Sequence, residues 1–280
     1  MAISLRELFE DIPVLKVVDV GASPIEGDPI YGPLHDAGGA ELVGFEPAAD
    51  QFQRLLDLDL PRATFLPDAI GDGTESELRI CQAPGMTSML EPDQEVLSHF
   101  HQFSEFGKVV GREKMPTRRL DDIPETQGMD FLKVDVQGGE LRVFEGARAR
   151  LTEAVMVQTE VQFVPFYEEQ PLFAELDQIL RGLGFWFHRF GRIRSRVFKP
   201  LLVNNDPFAG MSQQLWSDAI YVRRFVDFST LETPRLLKLA LVAHDFYRSY
   251  DLAALALRRA DEQEGTQRHA RYLQHLAEGL

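Results

Sequence analysis

The chain has 280 residues, of which 44% are hydrophobic, and its excess of acidic residues gives a formal net charge of −15. This size and composition predict a globular protein with one large domain or one domain plus a small appendage. The negative charge argues against binding to nucleic-acid phosphates or to an anionic membrane. The single cysteine excludes an intramolecular disulfide. Because no signal-peptide pattern and no long apolar run are found, we expect a cytoplasmic location.

The first half of the chain alternates short apolar runs with helical patterns. Strands are predicted at residues 14–20, 41–46, 64–66 and 77–81. Helices are predicted at residues 3–10, 31–39 and 48–58. The third helix presents Phe52, Leu55 and Leu56 on one face, which is typical of a helix that packs on a sheet. Residues 84–118 have little periodicity and are expected to form a lid or a binding loop.

Further apolar runs continue this alternation. Strands are predicted at residues 131–136, 154–161, 185–190 and 219–223, and a helix at 171–183. The last two strands have no helical pattern between them, so we expect an antiparallel pair at one edge. Residues 191–217 between them, with Arg192, Arg194, Arg196 and Lys199, are interpreted as a solvated basic loop. The alternation favours an α/β fold: a Rossmann-like, doubly wound, mostly parallel seven-stranded sheet with an antiparallel edge strand.

The character of the chain changes after Asp227. Residues 230–280 are rich in Ala, Leu and charged residues at helical spacing, and Pro234 suits a first helical turn. They predict a helical C-terminal appendage of about three helices. We therefore expect two domains, residues 1–229 and 230–280, with a homodimer through the C-terminal helices as one option for the second.

Four acidic residues follow or end successive predicted parallel strands. They are Asp19, Glu46, Asp68 and Asp135. Parallel strands bring their carboxyl ends to one edge of a sheet, where ligands bind. An acid after the second strand, here Glu46, can accept both hydroxyls of an adenosine ribose. Each acid taken alone would suit a solvated loop, but the four together predict a nucleoside site.

The loop after the first strand bears on which nucleoside binds. Residues 21–27 lack the second glycine of a G-x-G-x-x-G phosphate-binding loop. Pro24 removes a backbone N–H, and Glu26 and Asp28 would repel phosphate. The sequence also has no G-x-x-x-x-G-K-[ST] loop. An adenosine without a phosphate chain is therefore favoured, and S-adenosylmethionine fits because its sulfonium tolerates an acidic site.

Residues 130–147 read as a strand, a turn at Gly138-Gly139 and a helix, with Asp135 near the strand end. They resemble a motif of the FkbM family of class I S-adenosylmethionine-dependent methyltransferases. Further matching motifs are VVDVGAS at 17–23, VGFEP at 43–47, DAIGD at 68–72, TSML at 87–90 and TEVQF at 159–163. The resemblance covers about residues 14–225. It implies O-methylation of a hydroxyl on a sugar, a glycan or a natural product.

The resemblance also implies which residues meet the ligands. The residues expected to bind the cofactor S-adenosylmethionine are Asp19, Gly21, Ala22, Ser23, Glu46, Pro47, Asp68, Ala69 and Asp135. Thr87, Ser88 and Glu140 are expected to bind the acceptor. The expected partner is a small-molecule or glycan hydroxyl rather than a nucleic acid or a membrane.

Methyl transfer to a hydroxyl is faster when a base removes the hydroxyl proton. Asp135 and Glu160 are the candidates for this catalytic base, with Glu140 and His35 as further candidates. Asp135 and Glu160 could instead hold a divalent cation that lowers the pKa of the hydroxyl. Two carboxylates without a histidine cluster are a thin metal signature, so no metal site is predicted.

Two other functions stay open. A nicotinamide-dependent oxidoreductase could use a similar sheet, but the missing G-x-G-x-x-G loop argues against it. A non-catalytic scaffold with a methyltransferase fold would have no need of the acidic residues. Because Asp19, Glu46 and Asp135 are all present, the enzyme is the favoured interpretation.

Overall fold

The centre of the molecule is a mostly parallel sheet. The computed structural model describes residues 3–23 and 27–279. The strands of this part of the chain are β1 (Leu15–Val20), β2 (Ala40–Phe45), β3 (Ala63–Leu66), β4 (Ala69–Ile70), β5 (Glu75–Cys81), β6 (Val109–Arg118), β7 (Phe131–Val134), β8 (Met156–Gln162), β9 (Phe185–Phe190), β10 (Arg194–Ser195) and β11 (Gln214–Arg223). The helices are α1 (Leu5–Leu8), α2 (Gly32–Asp36), α3 (Ala49–Asp57), α4 (Gln94–Leu97), α5 (Phe103–Phe106), α6 (Glu140–Glu145), α7 (Phe173–Gly182), α8 (Thr233–Asp245), α9 (Tyr250–Glu264) and α10 (Arg268–Gly279).

The strand order of the main sheet creates a crevice between β1 and β7. The order is β3–β2–β1–β7–β8–β11. Neighbours from β3 to β8 are parallel, and β11 runs antiparallel to β8. The chain passes from β1 to β2 and β3 on one side, and later enters β7 on the other side of β1. The carboxyl ends of β1 and β7 therefore flank a switch point, where ligands bind in such sheets. This confirms the Rossmann-like, doubly wound architecture.

The antiparallel edge is present but is divided between two strands. The main sheet has eight strands rather than seven, because β9 and β10 both pair with β11. Strand β9 pairs with residues 219–223, and β10 pairs near residues 214–216. The segment expected to be a loop after residue 190 therefore contributes one short strand to the edge.

A second, three-stranded sheet has the order β4–β6–β5. The expectation that residues 84–118 lack regular structure is wrong for residues 109–118, which form β6 and pair antiparallel with β5. Most side chains of β6 are exposed, and the strand contains Gly111 and Pro116. It therefore lacks the alternation of apolar residues by which strands are recognised in a sequence. Residues 84–106 contain short helical turns and no strand of either sheet. We call these residues the lid segment.

Two hydrophobic cores cover the two faces of the main sheet. On one face, α1, α8 and α9 pack with Phe131 and Met156; on the other, α6 and α7 pack with Leu132 and Val157. Successive side chains of a strand point to opposite faces, so adjacent residues of β7 and β8 meet different helices. Both faces are thus buried, as is typical of a mostly parallel sheet.

The three predicted C-terminal helices are present and take part in the first of these cores. Leu236 and Leu241 of α8 and Leu257 of α9 are fully buried. Lys238 of α8 forms an ion pair with Asp130 at 2.7 Å, just before β7. The domain boundary at residue 229 and a homodimer through these helices stay predictions. The buried residues would not be available for contact with a second copy.

Within residues 3–23 and 27–279, no helix is both long enough and apolar enough to cross a membrane. The predicted effects of Pro24 and Glu26 on the first loop fall outside the described residues. Asp28, the other acid of that loop, is exposed.

Candidate functional site

A cavity opens at the carboxyl ends of the parallel strands. Its volume is about 470 Å³, which lies within the range of small-molecule sites. Its wall includes Glu46 after β2, Asp68 after β3 and Asp135 after β7. Gly21 and Ser23, which follow β1, also belong to the wall. Three of the four acids predicted at the strand ends thus surround one cavity.

The turn after β1 is fixed by contacts with both neighbouring strands. The amides of Gly21 and Ala22 each donate to the carbonyl of Phe45 at 3.0 Å. The amide of Asp135 donates to the carbonyl of Val20 at 2.9 Å. Gly21 has a φ of +86°, and a Cβ at this position would lie 1.9 Å from the carbonyl oxygen of Asp135. Only glycine fits this junction, so the sequence brings the turn and the end of β7 into direct backbone contact.

The end of β2 presents a buried carboxylate to the cavity. Glu46 is only 7% exposed, and its Oε1 accepts the amide of Ala48 at 2.8 Å, at the start of α3. Burial raises the pKa of the Glu46 carboxyl above its usual range. Pro47 lines the cavity beside it. A carboxylate oriented by its own backbone can accept hydroxyl groups of a ligand.

Gln51 of α3 is a wall residue that the sequence patterns missed. Its side chain is buried, and its Nε2 donates to Oδ2 of Asp50 at 2.9 Å. Its Oε1 is buried with no hydrogen-bond partner among the described residues. An unpaired buried acceptor is costly, so this atom fits a ligand that brings a donor. The sequence did contain one indication of this residue. Gln51 is a polar residue four positions before Leu55, and the two share the buried face of the helix.

On the part of the cavity wall that follows β3, the charge of Asp68 is paired with that of Arg118. Oδ2 of Asp68 accepts from Nη1 of Arg118 at 3.0 Å. Ala69, Ile70 and Cys81 line the cavity nearby. Burial raises the pKa of the Cys81 thiol to about 11, so the thiol is protonated at neutral pH. Ala69, Ile70 and Cys81 thus form an uncharged, mainly apolar part of the wall beside the Asp68–Arg118 pair.

Asp19 is buried and is not one of the residues that line the cavity. It is 2% exposed, its Oδ2 accepts the hydroxyl of Tyr31 at 2.7 Å, and its Oδ1 accepts from Nζ of Lys133 at 3.2 Å. Ala22 is also buried and is not one of the wall residues. Their contact with a cofactor stays a prediction. In the observed arrangement, Asp19 joins Tyr31 after β1 to Lys133 of β7.

The carboxylates of Asp135 and Glu160 are bridged by one amide. Nε2 of Gln137 donates to Oδ1 of Asp135 at 2.7 Å and to Oε2 of Glu160 at 3.1 Å. Nε2 of Gln162 donates to the same oxygen of Glu160 at 2.6 Å. Asp135 belongs to the cavity wall, whereas Glu160 does not. Of the two predicted bases, Asp135 is therefore the one that can meet a molecule in the cavity directly.

The turn after β7 is held to the lid segment by side-chain hydroxyls. Gln137 has a φ of +57°, a conformation that non-glycine residues rarely adopt. The hydroxyl of Ser88 donates to the carbonyl of Gln137 at 2.6 Å and accepts the amide of Leu90 at 2.9 Å. The hydroxyl of Tyr167 donates to Oε1 of Gln137 at 3.3 Å. Thr87 and Ser88 line the cavity, but each hydroxyl already has a partner in the chain.

Glu140 is enclosed beneath this turn. It is fully buried, and its Oε1 accepts the amides of Val136 and Gly138, both at 3.1 Å. Burial, with a smaller contribution from the nearby charge of Asp135, raises the pKa of Glu140 to about 7. Glu140 is not a wall residue, so its contact with an acceptor stays a prediction. His35 is buried in α2 and is not a wall residue either.

Three carboxylates beside the cavity come close enough to raise the question of a metal. One oxygen from each of Asp135, Glu140 and Glu160 lies within 4.8 Å of the others. Such oxygens are the ligands that Mg²⁺ and Ca²⁺ prefer. However, the N–H donors of Gln137 already bind two of these carboxylates, and a donor group repels a cation. The contacts fit an amide-bridged pair of acids better than a metal site.

A family model matches this chain, and several solved structures are similar to it. The model of the methyltransferase FkbM domain matches residues 19–187. Similar solved structures include magnesium protoporphyrin IX methyltransferase from Synechocystis PCC 6803 with bound S-adenosylmethionine, at 14% identity and a TM-score of 0.36, covering 79% of this chain and 75% of that one. Another is precorrin-6y C5,15-methyltransferase from Geobacter metallireducens GS-15, at 10% identity and a TM-score of 0.37, covering 75% and 80%. A third is a variant of 16S rRNA (adenine(1408)-N(1))-methyltransferase from Catenulisporales acidiphilia, at 13% identity and a TM-score of 0.35, covering 80% and 93%. No curated protein matches the chain.

Proposed function

The chain belongs to the FkbM family of S-adenosylmethionine-dependent methyltransferases, and we propose that it methylates a hydroxyl on a sugar, a glycan or a natural product. The observation that carries this proposal is the position of Asp135. Asp135 lines a cavity whose wall also includes Glu46 and the turn at Gly21. A nucleoside-binding acid and a second acid that could receive a proton thus face the same space.

The cavity wall fits S-adenosylmethionine through its charge and its unpaired acceptor. Glu46 would accept the ribose hydroxyls, and Oε1 of Gln51 would accept a donor from the nucleoside. Gly21 and Ser23 would contact the methionine part. When bound, the cofactor supplies an electrophilic methyl group on its sulfonium. The carboxylate of Asp135 favours that positive charge by Coulomb attraction.

Asp135 would receive the proton of the acceptor hydroxyl. Its Oδ1 is fixed by Nε2 of Gln137 at 2.7 Å, so the carboxylate keeps one orientation toward the cavity. Such a base typically contributes roughly 100- to 10,000-fold to the rate. Glu160 would serve as a positioning residue, because it binds the other side of the same amide. Holding both reactants in one orientation supplies much of the remaining acceleration.

The class of acceptor follows from charge and surroundings. The net charge of −15 supports a small-molecule or glycan hydroxyl over a nucleic acid, whose phosphates the surface would repel. Thr87 of the lid segment and Val136 of the turn after β7 line the cavity near Asp135. We propose that the acceptor enters between these two segments.

The test is methyl transfer to a panel of sugars, glycans and hydroxylated natural products, measured by mass spectrometry as the gain of one methyl group. Asp135→Asn keeps the size of the side chain and an oxygen acceptor for Gln137. We expect it to lose at least about 100-fold in kcat while its affinity for S-adenosylhomocysteine stays unchanged. Asp36→Asn is the matched control, because the Asp36 side chain is 77% exposed in α2. Transfer confined to nitrogen or carbon acceptors, or full activity of Asp135→Asn, would contradict the proposal.

A further inference from the structure

The segment between β9 and β11 concentrates exposed apolar side chains. Six of the fourteen exposed large apolar side chains of the described residues fall between residues 193 and 211. They are Ile193, Phe198, Leu201, Leu202, Phe208 and Met211. Among them, Met211 is 58% exposed and Leu201 is 52% exposed. Scattered single exposures are ordinary on a protein surface, whereas six on one segment are a concentration of the kind that interaction sites show.

This segment is anchored in the fold. The ring of Phe198 stacks on Phe100 at a centroid distance of 5.2 Å, and the ring of Phe208 lies parallel to Phe106 at 6.2 Å. The amide of Lys199 donates to the carbonyl of His99 at 2.9 Å. These contacts hold the segment that carries the exposed apolar side chains in one position on the protein.

Basic side chains alternate with these apolar ones. Arg192, Arg194 and Lys199 are exposed, and residues 191–213 contain one acid, Asp206. Arg196 is half-buried, with its guanidinium over the ring of Trp216 at 5.1 Å. In a chain with a net charge of −15, this segment is a local positive surface. The sequence-based interpretation of a merely solvated loop does not account for the apolar groups.

We propose that residues 191–213 dock the protein on an anionic lipid surface, with the apolar side chains entering the interface and the basic side chains binding the headgroups. Interfacial segments combine these two features, apolar anchors and Lys or Arg beside them. Protein–protein interfaces are instead depleted of Lys, although not of Arg, and here Lys199 lies between the exposed Phe198 and Leu201. The alternation of the two kinds of side chain therefore favours lipid over an apolar protein partner.

The net charge of the chain does not oppose this docking at close range. Salt screens exposed charges beyond about 10 Å, so a lipid surface in contact with residues 191–213 would mainly feel the basic side chains. The anchored segment also adjoins the lid. Phe100 and Phe103, which it contacts, share a hydrophobic cluster with Met86 and Leu90 of the lid segment. Docking would therefore place the lid near the lipid surface.

Sedimentation with phosphatidylcholine vesicles, with and without phosphatidylglycerol, tests the proposal. We expect binding to the anionic vesicles alone, weakened by salt. Arg192→Gln combined with Arg194→Gln should weaken the binding roughly 30-fold, at about fivefold for each charge. Leu201→Ser combined with Leu202→Ser should also abolish most of it. Leu56→Ser combined with Leu58→Ser is the matched control, because these leucines are 45% and 51% exposed in or next to α3.

Three results would overturn the proposal. The first is a wild-type protein that stays in solution with anionic vesicles. The second is an equal loss of binding in the Leu56/Leu58 control and in the Leu201/Leu202 variant. The third is a change of molecular mass in light scattering when Leu201 and Leu202 are replaced, which would assign the surface to a protein–protein contact. Circular dichroism of each variant distinguishes loss of docking from loss of fold.

Discussion

Gly21 and Asp135 meet backbone to backbone at the switch point of the sheet. A Cβ on Gly21 would lie 1.9 Å from the carbonyl oxygen of Asp135, and the glycine has a φ of +86°. The turn that follows β1 and the strand end that carries the proposed base are therefore positioned by each other. Any displacement of the turn would move Asp135 relative to the cavity.

Gly21→Ala should destabilise the protein and weaken cofactor binding. The substituted residue would combine an unfavourable φ with a clash against a backbone atom, so we expect a loss of at least about 2 kcal/mol in the free energy of unfolding. Gly182→Ala is the control, because that glycine lies in α7 with no atom near its Cβ position, and alanine favours a helix. Urea unfolding of Gly21→Ala and of Gly182→Ala measures the change in the free energy of unfolding. Equal stability of Gly21→Ala and wild type would contradict the described junction.

Gln51→Leu should have opposite effects on stability and on affinity. The unpaired Oε1 of Gln51 is a buried acceptor, so its removal should leave the free protein as stable as wild type or more stable. The same change should weaken S-adenosylhomocysteine binding about tenfold, if that oxygen accepts a donor from the ligand. Gln53→Leu, at an exposed position of the same helix, should leave affinity unchanged. Thermal unfolding with and without ligand reports both quantities. Unchanged affinity of Gln51→Leu would exclude the proposed contact.

Glu140 should make stability fall as the pH rises toward 8. Its pKa is raised from 4.5 to about 7 in the folded protein, mainly by burial, so folding favours the protonated form. The resulting stabilisation is complete below the unfolded pKa and is lost as the pH rises through about 7. Glu140→Gln should remove this dependence and exceed wild type by up to about 3 kcal/mol at about pH 8, with little difference at about pH 5. Urea unfolding at both values measures it.

The control for this experiment is Glu145→Gln, an exposed position of the same helix, which should follow the wild-type pH dependence. If Glu140→Gln were less stable than wild type at the higher pH, folding would favour the ionised carboxylate of Glu140. That outcome would contradict the raised pKa of this group.

Ser88→Ala should loosen the lid segment. The Ser88 hydroxyl joins the carbonyl of Gln137 to the amide of Leu90, and its loss removes two partly buried hydrogen bonds, at a cost of about 1 kcal/mol. Amide hydrogen exchange at Leu90 should therefore accelerate. Ser98→Ala removes an exposed hydroxyl that binds only Glu95, and exchange at Leu90 should stay as in wild type. Protection of Leu90 that survives Ser88→Ala would show that the hydroxyl does not hold the lid.

The sheet could be predicted from the sequence because its strands are buried on both faces. Runs such as Leu15–Val20 and Ala40–Phe45 consist mainly of apolar residues, and turn residues bound them. Strand β6 could not be predicted in this way. Its outward side chains include Arg112 and Lys114, and its pairing with β5 depends on backbone contacts that leave no apolar alternation.

The acids of the site could be predicted as a set, but not their individual surroundings. Glu46, Asp68 and Asp135 reach one cavity because parallel strands end at one edge. That Asp19 instead binds Tyr31 and Lys133 depends on partners distant in the chain. The contact of Gln137 with both Asp135 and Glu160 depends on a positive φ, which glutamine does not signal. Side-chain partners of this kind are set by tertiary packing.

We propose that the cavity between Gly21, Glu46 and Asp135 binds S-adenosylmethionine. Calorimetric titration of S-adenosylhomocysteine into the wild-type protein, Glu46→Gln and Glu41→Gln tests it most directly. We expect one binding site in wild type, a loss of about 10- to 100-fold in affinity for Glu46→Gln, and no change for Glu41→Gln, whose side chain is exposed on the same strand. Absence of heat with wild type, or equal affinity of Glu46→Gln and wild type, would contradict the account.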